Sequence, residues 1–463
     1  MNSAILKPLA WAAMLVLAGC ATPPTPPEAP EKTLQQAAVP VQLPVAAGAA
    51  ADTPALGWRD LVRQPGLVQL VELALQGNRD LRVTVLNVQR AQAQLTVAEA
   101  SRLPTLGAGL SASRAPNSKR EQASNFALGL QVSSWELDLF GRLAKLSDAA
   151  RAQLLASQAG QRAAELALAA TVVQAALALQ ADDELLVLAR QSLASREQSL
   201  QLVQLRESAG AASLLELQIQ QGLTAQARAT LAQLTRQQAQ DGHTLALLLG
   251  QPVPAALLSS ASSPPLESDR WLAEVPAGLS SAVLLRRPDV IAAEQTMRAA
   301  AANIAAARAA FWPAITLTGQ AGQASPQLSG LFQGGNFVYT LAANALLTVF
   351  DAGRRQANID AAVASREIAQ AQYERAIQSA FRDTADGLAG LATWRDQRLA
   401  VAAQREAARG TSKLVELRTR QGAASVLEQL EAERTLWATE QAVVQVRLAE
   451  LLNRVALFKA LGG

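Results

Sequence analysis

Asn78-Arg79-Asp80-Leu81 opens an apolar-periodic run that ends at Leu103-Pro104-Thr105, and Arg287-Pro288-Asp289-Val290 opens a second that ends at Trp312-Pro313-Ala314. Asp80 and Asp289 are 209 residues apart, and so are Pro104 and Pro313. Further along, Leu139-Phe140-Gly141-Arg142 answers Asp351-Ala352-Gly353-Arg354, and Gly210-Ala211-Ala212-Ser213 answers Gly422-Ala423-Ala424-Ser425. Leu249-Gly250 answers Leu461-Gly462. These later pairs share an offset of 212, so a three-residue length change lies between the two prolines and the first glycines. Landmarks in one order at nearly one offset mean a unit written twice, and that decides the architecture. The Pro/Ser-rich stretch 251–276 reads as the linker between a first repeat, 55–250, and a second, 277–463.

Both repeats have the same grammar. A helix of about 25 residues (78–102 and 288–312) is stopped by proline, which removes a donor and clashes with the preceding turn. Two alternating segments follow. In 105–113 Leu106, Ala108, Leu110 and Ala112 alternate with glycine, serine and threonine; in 125–133 Phe126, Leu128, Leu130 and Val132 alternate with Asn125, Ala127, Gly129, Gln131 and Ser133. The second repeat carries Ile315, Leu317, Gly319 and Ala321, then Phe337, Tyr339, Leu341, Ala343, Ala345, Leu347 and Val349. Period two is strand grammar. The opposite face is small or polar and almost uncharged, which suits a wet lumen behind a lipid-facing surface.

Proline-free runs then extend over 141–209 and 353–421, each roughly 100 Å long as helix. Val172, Leu179, Leu186, Leu193 and Leu200 keep a heptad, so coiled-coil packing is expected. Gly210 and Gly422 break these helices, and shorter ones return over 213–249 and 425–461. The returning helix of half two holds the heptad Leu430, Trp437, Val444, Leu451 and Phe458. Its counterpart has Gln218, Ala225, Ala232, Ala239 and Ala246, so the copies share a path but not a packing partner. The pre-strand and returning helices together nearly equal the long helix, so two short helices stacked end to end can lie antiparallel to one long one. The fold expected is mainly α with a small transmembrane β part. Four strands cannot close a barrel when the smallest use about eight, and an open sheet in lipid leaves unsatisfied edges. The barrel must be shared; three chains give twelve strands under a long antiparallel α-barrel.

Composition narrows the function. Half of the 463 residues are apolar, 17% are charged and 4% aromatic. A net charge of +3 gives no basic surface for nucleic acid. One cysteine and one histidine exclude a disulfide framework, a Cys/His zinc site and a Ser/His/Asp set with a histidine to spare. No catalytic constellation, cofactor loop or metal motif appears, so the chain does not read as an enzyme. His243 reads as a surface or interface residue, and Asp182-Asp183-Glu184 as a solvated helix face rather than a cation site.

Residues 1–19 read as a secretory signal, with Lys7 in the n-region and an apolar h-region too short to span a bilayer. Leu17-Ala18-Gly19-Cys20 resembles a bacterial lipobox. That resemblance implies cleavage before Cys20, a diacylglycerol on its sulfur and acylation of the new amino terminus. Residues 20–54 then form a Pro/Ala-rich tether. Ala21, rather than aspartate, fits release to the outer membrane under the lipoprotein sorting rule.

The chain resembles outer-membrane factors of the TolC type, in particular the NodT-like lipoprotein branch of efflux outer-membrane subunits. The resemblance spans everything from Ala55 onward. It rests on the lipobox, on S-W-E-L-D-L-F-G-R (134–142), L-L-R-R-P-D-V (284–290), F-W-P (311–313) and the carboxy-terminal K-A-L-G-G. It implies a homotrimeric duct, open outward and closed at its periplasmic tip. The duct would dock a periplasmic adaptor protein and an inner-membrane efflux pump of the resistance-nodulation-division type. Drugs or other small toxic solutes are the implied cargo; protein, as in type I secretion, is the alternative, and a pore-less periplasmic scaffold a third reading. Matching the motif puts the acidic aperture at Glu428 and Glu431, with Glu216 and Ile219 in the first repeat. The adaptor-contact tip is assigned to Arg206, Gly210, Ser213, Arg418, Gly422 and Ser425. Relatives often carry aspartate at the two glutamates and some carry arginine where Ala424 stands, which bears on the form of any ionic lock. Capping of a helix is the competing role for these carboxylates. Trp135, Phe140, Phe311 and Trp312 at the strand–helix joins suit a membrane boundary, or equally simple packing.

Overall fold

The computed structural model describes residues 37–38, 57–116, 122–254, 257, 264–274 and 281–462. The signal, Cys20 and most of the tether lie outside them. The first repeat runs α1 (Trp58–Leu61), α2 (Pro65–Gly77), α3 (Arg79–Ala100), β1 (Leu106–Pro116), β2 (Gln122–Leu137), α4 (Arg142–Ser208) and α5 (Leu214–Leu249). The second runs through a 3-10 turn (Ser281–Arg286), α6 (Pro288–Ala309), β3 (Ala314–Ser325), a 3-10 turn (Leu328–Gly330), β4 (Phe337–Leu346), α7 (Arg354–Arg420) and α8 (Val426–Ala460). Helix ends fall within three residues of those expected. α2 was not foreseen, although Leu67, Leu70, Val71 and Ala74 are buried at helical spacing. A 3-10 turn stands where half two would carry its copy, so the repeat gives no signal there.

α4 and α7 have 67 residues each, about 100 Å of helix. The end-to-end stacking of the short helices is built by the cap residues. Asn78 Oδ1 accepts from Leu81 N at 2.8 Å, capping α3, while Asn78 Nδ2 donates to Leu248 O at 2.9 Å, at the last turn of α5. No side chain fits between these ends: a Cβ on Gly77 would lie 2.3 Å from Leu249 O, and one on Gly250 2.2 Å from Gly77 O. In half two Arg287 makes the joint. Buried to 5% exposure, it donates from Nη1 to Ala460 O at 2.9 Å and holds Asp289 through Nε and Nη2 at 3.0 and 2.7 Å. The R-R-P-D-V motif is therefore the splice between α8 and α6. α4 packs on α3 and α5 to one side and on α6 and α8 to the other; α7 covers the far side of α6 and α8. The result is one layer of four columns.

α8 lies between two long helices, whereas α5 has only α4 as a long neighbour. Val444, Leu451 and Phe458 are accordingly buried, and alanines suffice at the matching places on α5. The main core is a girdle at mid-height, where α2, α4 and the ends of α5 and α8 meet the segment 264–274. That segment does more than link the repeats. Leu266, Trp271 and Leu272 are at most 2% exposed, and Arg63 N donates to Trp271 O while Ala273 N donates to Leu61 O.

The strands form one antiparallel sheet in the order β1-β2-β3-β4. Its register keeps one face apolar: Leu106 pairs Val132, Ala108 pairs Leu130, Leu110 pairs Leu128 and Ala112 pairs Phe126. Gly319 and Ala321 of β3 pair Leu341 and Tyr339 of β4 on that face. A bulge between Val132 and Trp135, with Ser134 at φ +58°, turns Trp135 opposite Leu317 and so onto the apolar face. Leu347 and Val349, expected in the last strand, lie beyond β4 and are exposed. The strand stops where its partner does, since β3 begins at Ala314 opposite Leu346, and Arg355 then donates to Thr348 O at 2.6 Å and to Asp351 Oδ2 at 2.8 Å as the chain turns into α7. The outer strands β1 and β4 each have one unpaired edge in this chain.

Candidate functional site at the helical tips

The two tips farthest from the sheet are built alike. Each long helix ends in a glycine with positive φ, +75° at Gly210 and +74° at Gly422, a conformation that disfavours any side chain. Ala211 N then reaches back to Arg206 O at 2.7 Å and Gly210 N to Glu207 O at 2.9 Å. Ala423 N and Gly422 N do the same with Arg418 O (2.8 Å) and Thr419 O (3.0 Å). This pair of reversed bonds satisfies carbonyls that the helix end leaves open. Arg206 and Arg418 complete it by donating to Ala211 O (3.4 Å) and Ala423 O (2.8 Å). Ser213 and Ser425 start the return helices with reciprocal caps. Glu428 N donates to Ser425 Oγ at 3.2 Å and Ser425 N to Glu428 Oε2 at 2.8 Å; Ser213 and Glu216 repeat the pattern.

Six expected tip residues thus converge on two turns, in structural roles that shape the surface they present. The two glutamates differ. Glu428 is held in the cap, while Glu431, one turn on, is exposed and paired with Arg434 at 2.6 Å. Both line a groove of about 730 Å³ between α7 and α8, walled by Ala408, Thr411, Val415 and Leu427. Those wall residues carry no distinguishing motif, and nothing in the sequence alone picks them out. Arg420 is engaged by Glu416 on its own helix.

The acidic triplet departs from the sequence reading. Asp182 is not on a solvated face: it is 7% exposed, at the α4–α5 seam, with Oδ2 lacking a hydrogen-bond partner. It falls in the heptad column beside Leu179 and Leu186, which a short acidic run conceals. Gln238 donates to Asp183, and Leu266 N to Glu184 at 2.7 Å. Burial, then a hydrogen bond and repulsion from Asp241, push the Asp182 carboxyl up to about 7. Its proton is bound more tightly in the folded than in the unfolded chain, so its contribution is present below about pH 4 and lost as pH rises through about 7. Asp182→Asn should remove that slope and raise the melting temperature above pH 8; an unchanged pH profile would count against the pair. Among the described residues no group of three or more His, Cys, Asp or Glu side chains could hold a metal ion. His243 is exposed, as expected.

The strand–helix joins gather the aromatic residues. Phe140 stacks on Trp312 with centroids 5.2 Å apart, Arg355 lies over Phe311 at 4.8 Å, and Trp135 Nε1 donates to Arg102 O at 3.0 Å. Arg142 clasps Glu136 through Nε and Nη2 at 2.9 and 2.6 Å, and Asp138 accepts from Leu143 N and Ala144 N to start α4. S-W-E-L-D-L-F-G-R is therefore a joint motif.

Residues 70–251 and 279–463 match the outer membrane efflux protein family. The chain belongs to this family. It is 39% identical over 423 residues to outer membrane protein OprJ of Pseudomonas aeruginosa, covering 90% of this chain and 87% of that one. It is 38% identical to the toluene efflux pump outer membrane protein TtgC of Pseudomonas putida, covering 88% and 85%. Among solved structures, the open state of the Neisseria gonorrhoeae MtrE outer membrane channel superposes with a TM-score of 0.80 at 34% identity, over 91% of this chain and 96% of that one. The protein is thus an outer membrane efflux protein with the TolC-like channel fold, and its place is the outer membrane of a Gram-negative cell.

Proposed function

We propose that the chain acts as a homotrimeric duct, the outer-membrane part of a tripartite assembly. It takes drugs or other small toxic solutes from a periplasmic adaptor and an inner-membrane pump of the resistance-nodulation-division type and releases them outside. The observation that carries this is a four-stranded sheet with apolar outer residues and two unpaired edges, at one end of a single helical layer with open flanks. Unpaired backbone in lipid costs several kcal/mol per group, and pairing β1 of one copy with β4 of the next removes every edge. The same rotation sets α7 beside the α3/α5 column of the neighbour and closes the layer into a cylinder. A relative named for toluene efflux supports small-molecule cargo over protein. In detergent the protein should have a mass near three chains, and a monodisperse monomer would sink the shared barrel.

The lipid anchor belongs to the same proposal. Diacylglycerol and an N-acyl chain on Cys20 would hold the trimer's skirt to the inner leaflet of the outer membrane, at about 0.8 kcal/mol per buried methylene. Cys20→Ser should abolish incorporation of radioactive fatty acid and leave the trimer able to form. Label persisting in the variant would remove the lipoprotein assignment.

A further inference from the structure

We infer that the groove between α5 and α8, floored by α4, is a binding site for a small organic carboxylate held by Arg196. Arg196 stands in the buried seam column of α4, at seven-residue spacing from Asp182 and Ala189, and is 5% exposed. Its Nη1 is buried without a hydrogen-bond partner, and among the described residues no carboxylate pairs with its guanidinium. Adjacent Glu197 is taken by Arg228 at 2.8 Å. The backbone there is pinned, because Gln220 Nε2 and Thr224 Oγ1 of α5 both donate to Arg196 O, at 3.1 and 3.3 Å. The cation is thus held in place with no counter-charge, and a buried charge without a partner is strongly unfavourable.

The groove in front of it supplies what a ligand would need. It measures about 210 Å³ and is lined by Arg196, Ser192, Thr230, Arg434, Trp437 and Gln441, with no carboxylate anywhere on its wall. Arg434 is already neutralised by Glu431 at 2.6 Å, which leaves Arg196 as the free cation. A carboxylate accepts two parallel bonds from a guanidinium, which inorganic halide cannot do. Half-buried Trp437 offers a flat apolar wall for the remainder of the molecule. The volume is below the ~300–1,000 Å³ of drug-sized sites, so the occupant is about one ring in size. The site does not depend on the duct reading, since it lies wholly within one chain.

The test uses the full-length protein in detergent, with para-fluorobenzoate as the probe and para-fluorobenzamide as its neutral counterpart, followed by fluorine NMR. Benzoate should bind saturably and about tenfold or more tighter than the amide, the margin of a charge-assisted pair. Arg196→Met should erase that preference, and Arg196→Lys should retain only part of it, since a lysine keeps the charge but not the planar fork. Removing an unpaired buried cation should leave the melting temperature without ligand at or above that of the wild type. If Arg196→Met fails to fold, the wild-type preference and a Trp437→Leu variant, expected to weaken both probes together, carry the test. Equal affinity for the two probes, or benzoate binding unchanged in Arg196→Met, overturns the proposal.

Discussion

Arg447→Ala is expected to lower the stability of the protein by about 3 kcal/mol, the lower end of the range for breaking a buried ion pair from one side. Arg447 is fully buried on α8. Its guanidinium donates to Leu266 O at 3.0 Å, Ser268 O at 3.1 Å, Asp269 Oδ1 at 2.7 Å and Glu450 Oε2 at 2.7 Å. It thereby ties the segment between the repeats to the helix that ends the chain. The effect stays at the lower end because Glu450 keeps Arg398 and Arg454, at 3.1 and 2.8 Å, and because the Asp269 side chain is 84% exposed and returns readily to water. Two backbone carbonyls and a side-chain-sized void bear the cost. Arg447→Lys should recover only part of it, since a lysine cannot reproduce the planar fork. The measurement is thermal unfolding in detergent, alongside limited proteolysis at 264–274. A melting temperature and cleavage rate indistinguishable from wild type in Arg447→Ala would show that this clamp is not structural.

That clamp also marks where the sequence stops being legible. Offsets of 209 and 212 expose the repeats, and the paired Asn78/Arg287 and Gly210/Gly422 landmarks locate the ends of the six helices that both repeats share. Those signals are local: a proline, a glycine at positive φ or a serine three residues before a glutamate acts within one turn of itself. Arg447, Arg196 and Asp182 are of another kind. Each is a charged residue in a helix, and such residues are usually solvated; what buries them is a neighbouring column more than twenty residues away in sequence. The stretch 251–276 reads as a linker because it is rich in proline and serine, while Leu266, Trp271 and Leu272 within it are core only once α1 and α8 are beside them. At the tips the turns were readable, yet the split between Glu428 and Glu431 was not. Both look like one acidic pair, and only the helix start places the first at the cap and the second beyond it.

Conduction through the tip should depend on these two glutamates. In the proposed trimer, Glu428 and Glu431 would bring six carboxylates together at the tip end of the duct. Like charges repel by about 1 kcal/mol per pair at ~4 Å in water, and by more at lower dielectric. Arg418 is spent on Ala423 O and Arg420 on Glu416, so the nearest basic groups are already engaged and Arg434 alone faces Glu431. A divalent cation entering from the tip side should therefore bind this ring and block current, as acidic rings hold cations in other channels. Neither carboxylate is free in one chain, Glu428 Oε2 accepting from Ser425 N and Glu431 Oε1 from Arg434, so each single glutamine variant should weaken the block less than the double one. Glutamine at Glu428 still satisfies the reciprocal cap, so the double variant keeps its fold and isolates the charge. Single-channel recording in a planar bilayer, with calcium added to each side in turn, measures the effect. In the double glutamine variant the tip-side block should fall about tenfold or more in calcium affinity, the loss expected when charged ligands become neutral ones. Equal block in wild type and double variant would place these carboxylates outside the conducting path and leave Glu428 with its capping role alone.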